Sequence, residues 1–235
     1  MDDLTNRMAA LDWAAISDAL DQTGGVCTGP LFTEAECAGL RELWHGAAFR
    51  SEIDMRRHGF GSGVYRYFDT PLPAPVSTLR HTAYGHLAPI ANRWSTMLGA
   101  QPSVPATLDQ MLARCHTAGQ TRPTPLMLSY RAGDYNCLHQ DLYGEVAFPL
   151  QMVVMLSTPG TDFDGGEFVL AEQRPRMQSR ATVLVPSLGE AVIFATARKP
   201  RRSARGWTAS ILRHGVSEVR RGRRMTLGVI FHDAA

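Results

Sequence analysis

Ser129-Tyr130-Arg131-Ala132-Gly133-Asp134-Tyr135-Asn136-Cys137-Leu138-His139-Gln140-Asp141 is the stretch whose reading decides the fold. The apolar run that ends at Arg131 predicts a strand, and Gly133-Asp134 predicts a turn. At the end of that turn stands an H-x-D pair, His139 and Asp141. On an extended backbone residues i and i+2 point to the same face. An imidazole nitrogen and a carboxylate oxygen can then converge on one metal ion. His214 follows 75 residues later, on another predicted strand. Two histidines and one carboxylate on one face suit a first-row metal such as Fe(II) and leave the opposite positions open.

Working outward, the second half of the chain has the texture of an antiparallel sandwich or barrel. The predicted strands are Leu126–Arg131, Leu150–Ser157, Glu167–Ala171, Ala181–Val185, Glu190–Ala195, Thr208–His214 and Met225–Phe231. Asp162-Phe163-Asp164-Gly165-Gly166 and Ser187-Leu188-Gly189 read as turns between them. Arg224, Thr226 and Gly228 share one face of the last strand. An arginine facing into a barrel needs an anionic partner, because an unpaired buried charge is costly. Arg223 stands next to it, and strand alternation lets only one of the two face inward.

The first half reads as mainly helical. Trp13, Ile16 and Leu20 fall on one face, and Gly24-Gly25 stops that helix. Thr33 with Glu36 has capping-box spacing. Further stripes run through Ala83, Leu87, Ile90, Trp94 and Leu98, and through Leu108, Met111, Leu112 and Cys115. Between them Gly59–Phe68 reads as a glycine-rich turn leading into a short aromatic strand, with Tyr65 and Tyr67 as candidate substrate contacts. The whole is expected to be one α+β domain over residues 1–235. Residues 1–120 form its helical part, packed on a β core of residues 121–235.

Composition agrees with a globular chain. Of 235 residues 44% are hydrophobic and 20% charged, which excludes a disordered chain. No apolar stretch approaches the ~20 residues of a membrane span, so no membrane partner is expected. The acidic start and the lack of an apolar signal core predict a cytoplasmic protein. Cys27, Cys37, Cys115 and Cys137 have no C-x-x-C spacing and read as free thiols. The net charge of +2 hides an asymmetry: Arg198 to Arg224 holds ten Lys/Arg and one acidic residue, a local +9, so the rest carries −7. Within it Arg198-Lys199-Pro200-Arg201-Arg202-Ser203-Ala204-Arg205 reads as a charge-dense loop that can grip phosphates. Trp207 is a candidate base-stacking residue, but it reads rather as core.

The ordered set Tyr130, His139-x-Asp141, Gly165-Gly166, His214 and Arg224 resembles the Fe(II)/2-oxoglutarate-dependent dioxygenases, whose fold is a double-stranded β-helix (jelly roll). Leu138-His139-Gln140-Asp141 and His214-Gly215-Val216 are similar to AlkB-type nucleic-acid demethylases. Those carry a second arginine six residues after the first, where this chain has Ile230. The ten-residue interval from His214 to Arg224 is instead similar to prolyl hydroxylases. The strings His139-Gln140-Asp141-Leu142-Tyr143-Gly144-Glu145 and Glu172-Gln173-Arg174-Pro175-Arg176-Met177-Gln178-Ser179 resemble a bacterial oxygenase family described as acting in oxidative demethylation of damaged nucleic acid.

The resemblance implies Fe(II), 2-oxoglutarate and O2. It implies His139, Asp141 and His214 as metal ligands, and it selects Arg224, with Tyr130, for the distal carboxylate of 2-oxoglutarate. Tyr143, Arg174 and Arg176 join Tyr65 and Tyr67 as candidates for the substrate entrance. Nucleic acid is one expected substrate, held through the Arg198–Arg205 segment. A prolyl or other protein side chain, or a small molecule, is the alternative. A non-catalytic metal- or nucleic-acid-binding barrel is the reading from another class.

Overall fold

The computed structural model describes residues 3–141, 144–174, 176–204 and 206–235. Its helices are α1 Asp3–Ala9, α2 Trp13–Thr23, α3 Glu34–Glu42, α4 Ala74–Met97 and α5 Leu108–Thr117. The local stop and start signals act as their chemistry requires. Gly24 closes α2 in the left-handed conformation at φ 83°, its N–H donating to the Leu20 carbonyl. The Thr33/Glu36 capping box opens α3, and Thr107 with Gln110 opens α5 in the same way.

The first half also supplies strands. β4 Val64–Phe68 is the short aromatic strand expected there, while helical periodicity conceals β1 Gly25–Pro30, β2 Phe49–Asp54 and β3 Gly61–Ser62. They extend sheets built by the second half. That half contributes β5 Leu126–Arg131, β6 Tyr135–His139, β7 Leu150–Met155, β8 Phe163–Gly165, β9 Phe168–Gln173, β10 Arg180–Leu184, β11 Glu190–Ala195, β12 Arg198–Ser203, β13 Gly206–Val216 and β14 Val219–Ile230. Among the described residues the major sheet runs β1-β11-β7-β14-β5-β4-β2, with β8 also on β14. The minor sheet runs β10-β9-β13-β6-β3, with β12 also on β13. All the named pairs are antiparallel, and together they form the double-stranded β-helix.

Alternation along β14 divides the interior. Met225, Leu227 and Val229 face one way and join the large core, where Leu79, Ala83, Leu87 and Trp94 of α4 pack on the major sheet. Arg224, Thr226, Gly228 and Ile230 face the other way, into the space between the sheets. β7 is buried along its whole length because both of its faces are covered. Arg80 of α4 pins the helix to the end of β14: its Nε donates to the Ile230 carbonyl at 2.8 Å, and it pairs with Asp233 at 2.9 Å.

Two expectations are corrected. The Arg198–Arg205 segment is not a loop but strand β12, paired with β13 from Arg198 opposite Ile211 to Ser203 opposite Gly206. Arg205 itself lies outside the described residues. The pairing turns Lys199 inward, where its Nζ donates to the Asp21 carbonyl at 2.8 Å. Trp207 is not core. It is 38% exposed, with the Arg202 guanidinium 5.1 Å over its ring.

Candidate active site

Tyr135–His139, expected as part of a turn, is strand β6, and a bulge in it sets the site. Asn136 lies opposite Val216 and His139 opposite His214, so three steps along β6 answer two along β13. The extra residue lets both Asn136 and His139 line the cavity, a recurrent use of bulges beside active sites. Asp141 follows just past the strand. Between the two, the Gln140 amide donates to the carbonyls of Ala197 at 3.0 Å and Leu212 at 2.8 Å. This clamp ties the turn to the start of β12 and to β13.

The three candidate ligands converge. His139 Nε2 is 3.4 Å from Asp141 Oδ1, and His214 Nε2 is 3.3 Å from Asp141 Oδ2. One ligand atom from each lies within 4.8 Å of the others. His139 Nδ1 donates to the Cys137 carbonyl at 2.8 Å, which leaves Nε2 as the free ligand nitrogen. Phe194 packs 4.6 Å from the His214 ring, centroid to centroid. Burial opposes the Asp141 charge, yet hydrogen bonds from the two imidazoles outweigh it and hold the carboxyl well below its usual range. Burial also opposes a charged His139, but Asp141 raises it. At His214 burial prevails and lowers it.

The cavity floor is the inward face of the major sheet. Strand register orders it in rows across β11, β7, β14, β5 and β4. One row reads Phe194, Gln151, Ile230. The next reads Val192, Val153, Gly228, Leu126, Tyr67, and the third Met155, Thr226, Leu128, Tyr65. The last pairs Arg224 with Tyr130. The minor sheet closes the other side with Phe168, His214, Val216 and His139, and the cavity between them is about 230 Å³.

Arg224 is 1% exposed and forms no ion pair among the described residues. Glu167, which faces its charge, is held instead by Ser217 and by Arg220 at 3.7 Å. Burial pushes the Arg224 guanidinium down to about 10. Its Nε, the Tyr130 hydroxyl and Thr226 Oγ1 are all buried without a hydrogen-bond partner among the described residues. Tyr130 is pushed up to about 12 by burial, with the Arg224 charge opposing; Asn136 lies beside it without closing a hydrogen bond. Arg223 faces away, its Nε donating to Ser129 Oγ at 2.9 Å. A His–Asp–His donor set fits Fe(II). A buried, unpaired arginine with two orphaned hydroxyls beside it fits a carboxylate.

The other candidates divide. Tyr65 and Tyr67 lie on the cavity wall, with ring centroids 5.4 Å apart. Tyr143 lies outside the described residues. Arg174 and Arg176 are not among the residues lining the cavity. Glu172 holds Arg174 at 2.9 Å beyond the end of β9. Sequence reasoning missed Gln151 and Phe194, which read as parts of plain apolar strands. It took Gly166 for turn chemistry alone. At φ +63°, a Cβ on Gly166 would come within 2.8 Å of Arg224 Cδ, so this glycine gives the arginine its room.

A double-stranded β-helix with a His–Asp–His cluster on its cavity defines the class of Fe(II)/2-oxoglutarate-dependent oxygenases. Residues 63–234 match a family described as "Oxygenase, catalysing oxidative methylation of damaged DNA", and the chain belongs to that family. It is 52% identical over 168 residues to an uncharacterized protein of Mycobacterium tuberculosis strain H37Rv, covering 72% of each chain. The fold is similar to that of a Pseudomonas putida prolyl-4-hydroxylase, with TM-score 0.56, 15% identity and coverage of 92% of this chain and 96% of that one. A 2OG-Fe(II) oxygenase family oxidoreductase of Burkholderia pseudomallei gives TM-score 0.52 and 17% identity, over 95% and 92% of the two chains. No helix among the described residues is long and apolar enough to cross a membrane.

Proposed function

We propose that this oxygenase demethylates alkylated nucleic acid oxidatively, with Fe(II) held by His139, Asp141 and His214 and 2-oxoglutarate by Arg224 and Tyr130. The observation that carries the reaction class is the His–Asp–His cluster opening on the same cavity as the unpaired Arg224. When bound, the metal, 2-oxoglutarate and O2 supply an oxidant that hydroxylates a substrate C–H bond, while the cosubstrate becomes succinate and carbon dioxide. On an N-methyl group the hydroxylated product releases formaldehyde and leaves the free nitrogen.

The chain's residues position and enclose. The Gln140 clamp fixes the turn that carries His139 and Asp141. Phe168, Phe194 and Val216 keep water from the His214 side. The aromatic pair Tyr65 and Tyr67 offers flat surfaces to a base. The family description supports a nucleic-acid substrate, as do Arg198, Arg202 and exposed Trp207 on the β12–β13 hairpin, where a stacking ring lies beside cations.

One observation favours a second reading. The position that holds a second arginine in AlkB-type enzymes is Ile230, and Ile230 lines this cavity. An apolar residue there suits hydroxylation of a protein side chain, the activity named for the Pseudomonas putida neighbour. Aerobic incubation with methylated DNA or RNA and with proline-containing peptides separates the two. Formaldehyde equivalent to succinate is expected from the methylated strand. A peptide gaining one oxygen, with no formaldehyde from any strand, would overturn the demethylase reading.

A further inference from the structure

Gln151 is 3% exposed, yet its Nε2 has no hydrogen-bond partner among the described residues. It is not a remote defect. Gln151 lines the cavity, and in register it sits between Phe194 and Ile230. Phe194 in turn packs against the His214 ring at 4.6 Å. The orphaned amide therefore lies on the metal side, separated by two rows from Arg224 and Tyr130. A buried donor left unpaired costs about as much as a lost hydrogen bond, so such a group calls for a ligand acceptor.

Apart from Nδ1 of the candidate ligand His214, the orphaned groups of this cavity thus fall into two sets at two ends. One set is cationic and hydroxylic: Arg224 Nε, Tyr130 Oη and Thr226 Oγ1. The other is the neutral amide of Gln151, whose strand neighbour Phe194 packs on the His214 ring. A dicarboxylate matches both. Its distal carboxylate takes the arginine end. A carboxylate that gives one oxygen to a metal keeps a second oxygen that needs a donor in a dry site. We infer that Gln151 donates to the metal-side carboxylate of 2-oxoglutarate and positions that end of the cosubstrate. This inference rests on the proposed function.

The test is calorimetric titration of 2-oxoglutarate into the Mn(II)-loaded full chain, wild type and Gln151→Met, which keeps the volume and removes the donor. The variant is expected to bind 2-oxoglutarate roughly 10- to 100-fold more weakly, as for loss of one charge-assisted hydrogen bond. Its Mn(II) affinity should stay within about two-fold. Equal 2-oxoglutarate affinity in both proteins, or an equal loss of Mn(II) affinity, would overturn the inference. A wild type that takes up Mn(II) but no 2-oxoglutarate would instead sink the proposed function. Should the variant not fold, the Gln151 side-chain NH2 resonance of the Zn(II)-loaded wild type serves. It should shift when 2-oxoglutarate is added, and an unmoved resonance overturns the inference.

Discussion

Single residues carry most of the chemistry, and Arg224 carries most tension. Its charge is buried without an anion among the described residues, which destabilises the ligand-free protein. Arg224→Met should therefore melt higher without ligand, by about 2–4 °C for each kcal/mol relieved in a chain of this size. It should also lose the stabilisation that 2-oxoglutarate gives the metal-loaded wild type. Differential scanning calorimetry with and without 2-oxoglutarate reads both, and a variant less stable than wild type without ligand contradicts the account. His232 makes a second prediction. It is fully buried, and Phe148 N–H donates to its Nδ1 at 3.2 Å, so the ring is held neutral. Burial pushes it down to about 4. The unfolded chain binds this proton at about 6.5, so stability is full above that pH and falls between roughly pH 6.5 and 4. The loss over that window is on the order of 3 kcal/mol. His232→Asn, which keeps an acceptor for Phe148 N–H, should flatten the urea-midpoint profile there.

At the scale of elements, the site depends on a bulge, a clamp and one glycine. Gly166→Ala places a Cβ against Arg224 at a left-handed φ. It should lower stability by about 1 kcal/mol and weaken 2-oxoglutarate binding, while Mn(II) affinity holds. Equal 2-oxoglutarate affinity would show that the close approach does not position Arg224. This scale also shows what the sequence reveals. The caps at Gly24 and Thr33 are legible because their signals are local. The face that carries Arg224 is legible because alternation along β14 is unbroken. β6 is not, because its bulge breaks the alternation and Gly133-Asp134 dominates the segment. β12 is not, because Pro200 and a run of basic residues argue against a strand. Pairing on one side only makes both tolerable. The cavity role of Gln151 depends on register across β11, β7 and β14, which no local pattern encodes.

In the whole molecule, helices cover one face of the major sheet and leave the other free to form the cavity wall with the minor sheet. The +9 segment is then divided. Arg224 belongs to the cavity, Lys199 to the packing of β12 against α2, and Arg198 and Arg202 to the surface. If the surface set grips phosphates, affinity for a methylated strand should fall steeply between 50 and 200 mM salt, and Arg198→Ala with Arg202→Ala should reduce that slope. The central claim, that one cavity joins the His139–Asp141–His214 cluster to the Arg224 end through a bound cosubstrate, has a more direct test. Fe(II) and then 2-oxoglutarate are titrated anaerobically into the wild type, His139→Ala and Arg224→Met. The account predicts a weak visible charge-transfer band in the wild type, none in His139→Ala, and in Arg224→Met a band only at far higher 2-oxoglutarate. No band in the wild type, or the same band in all three, would contradict it.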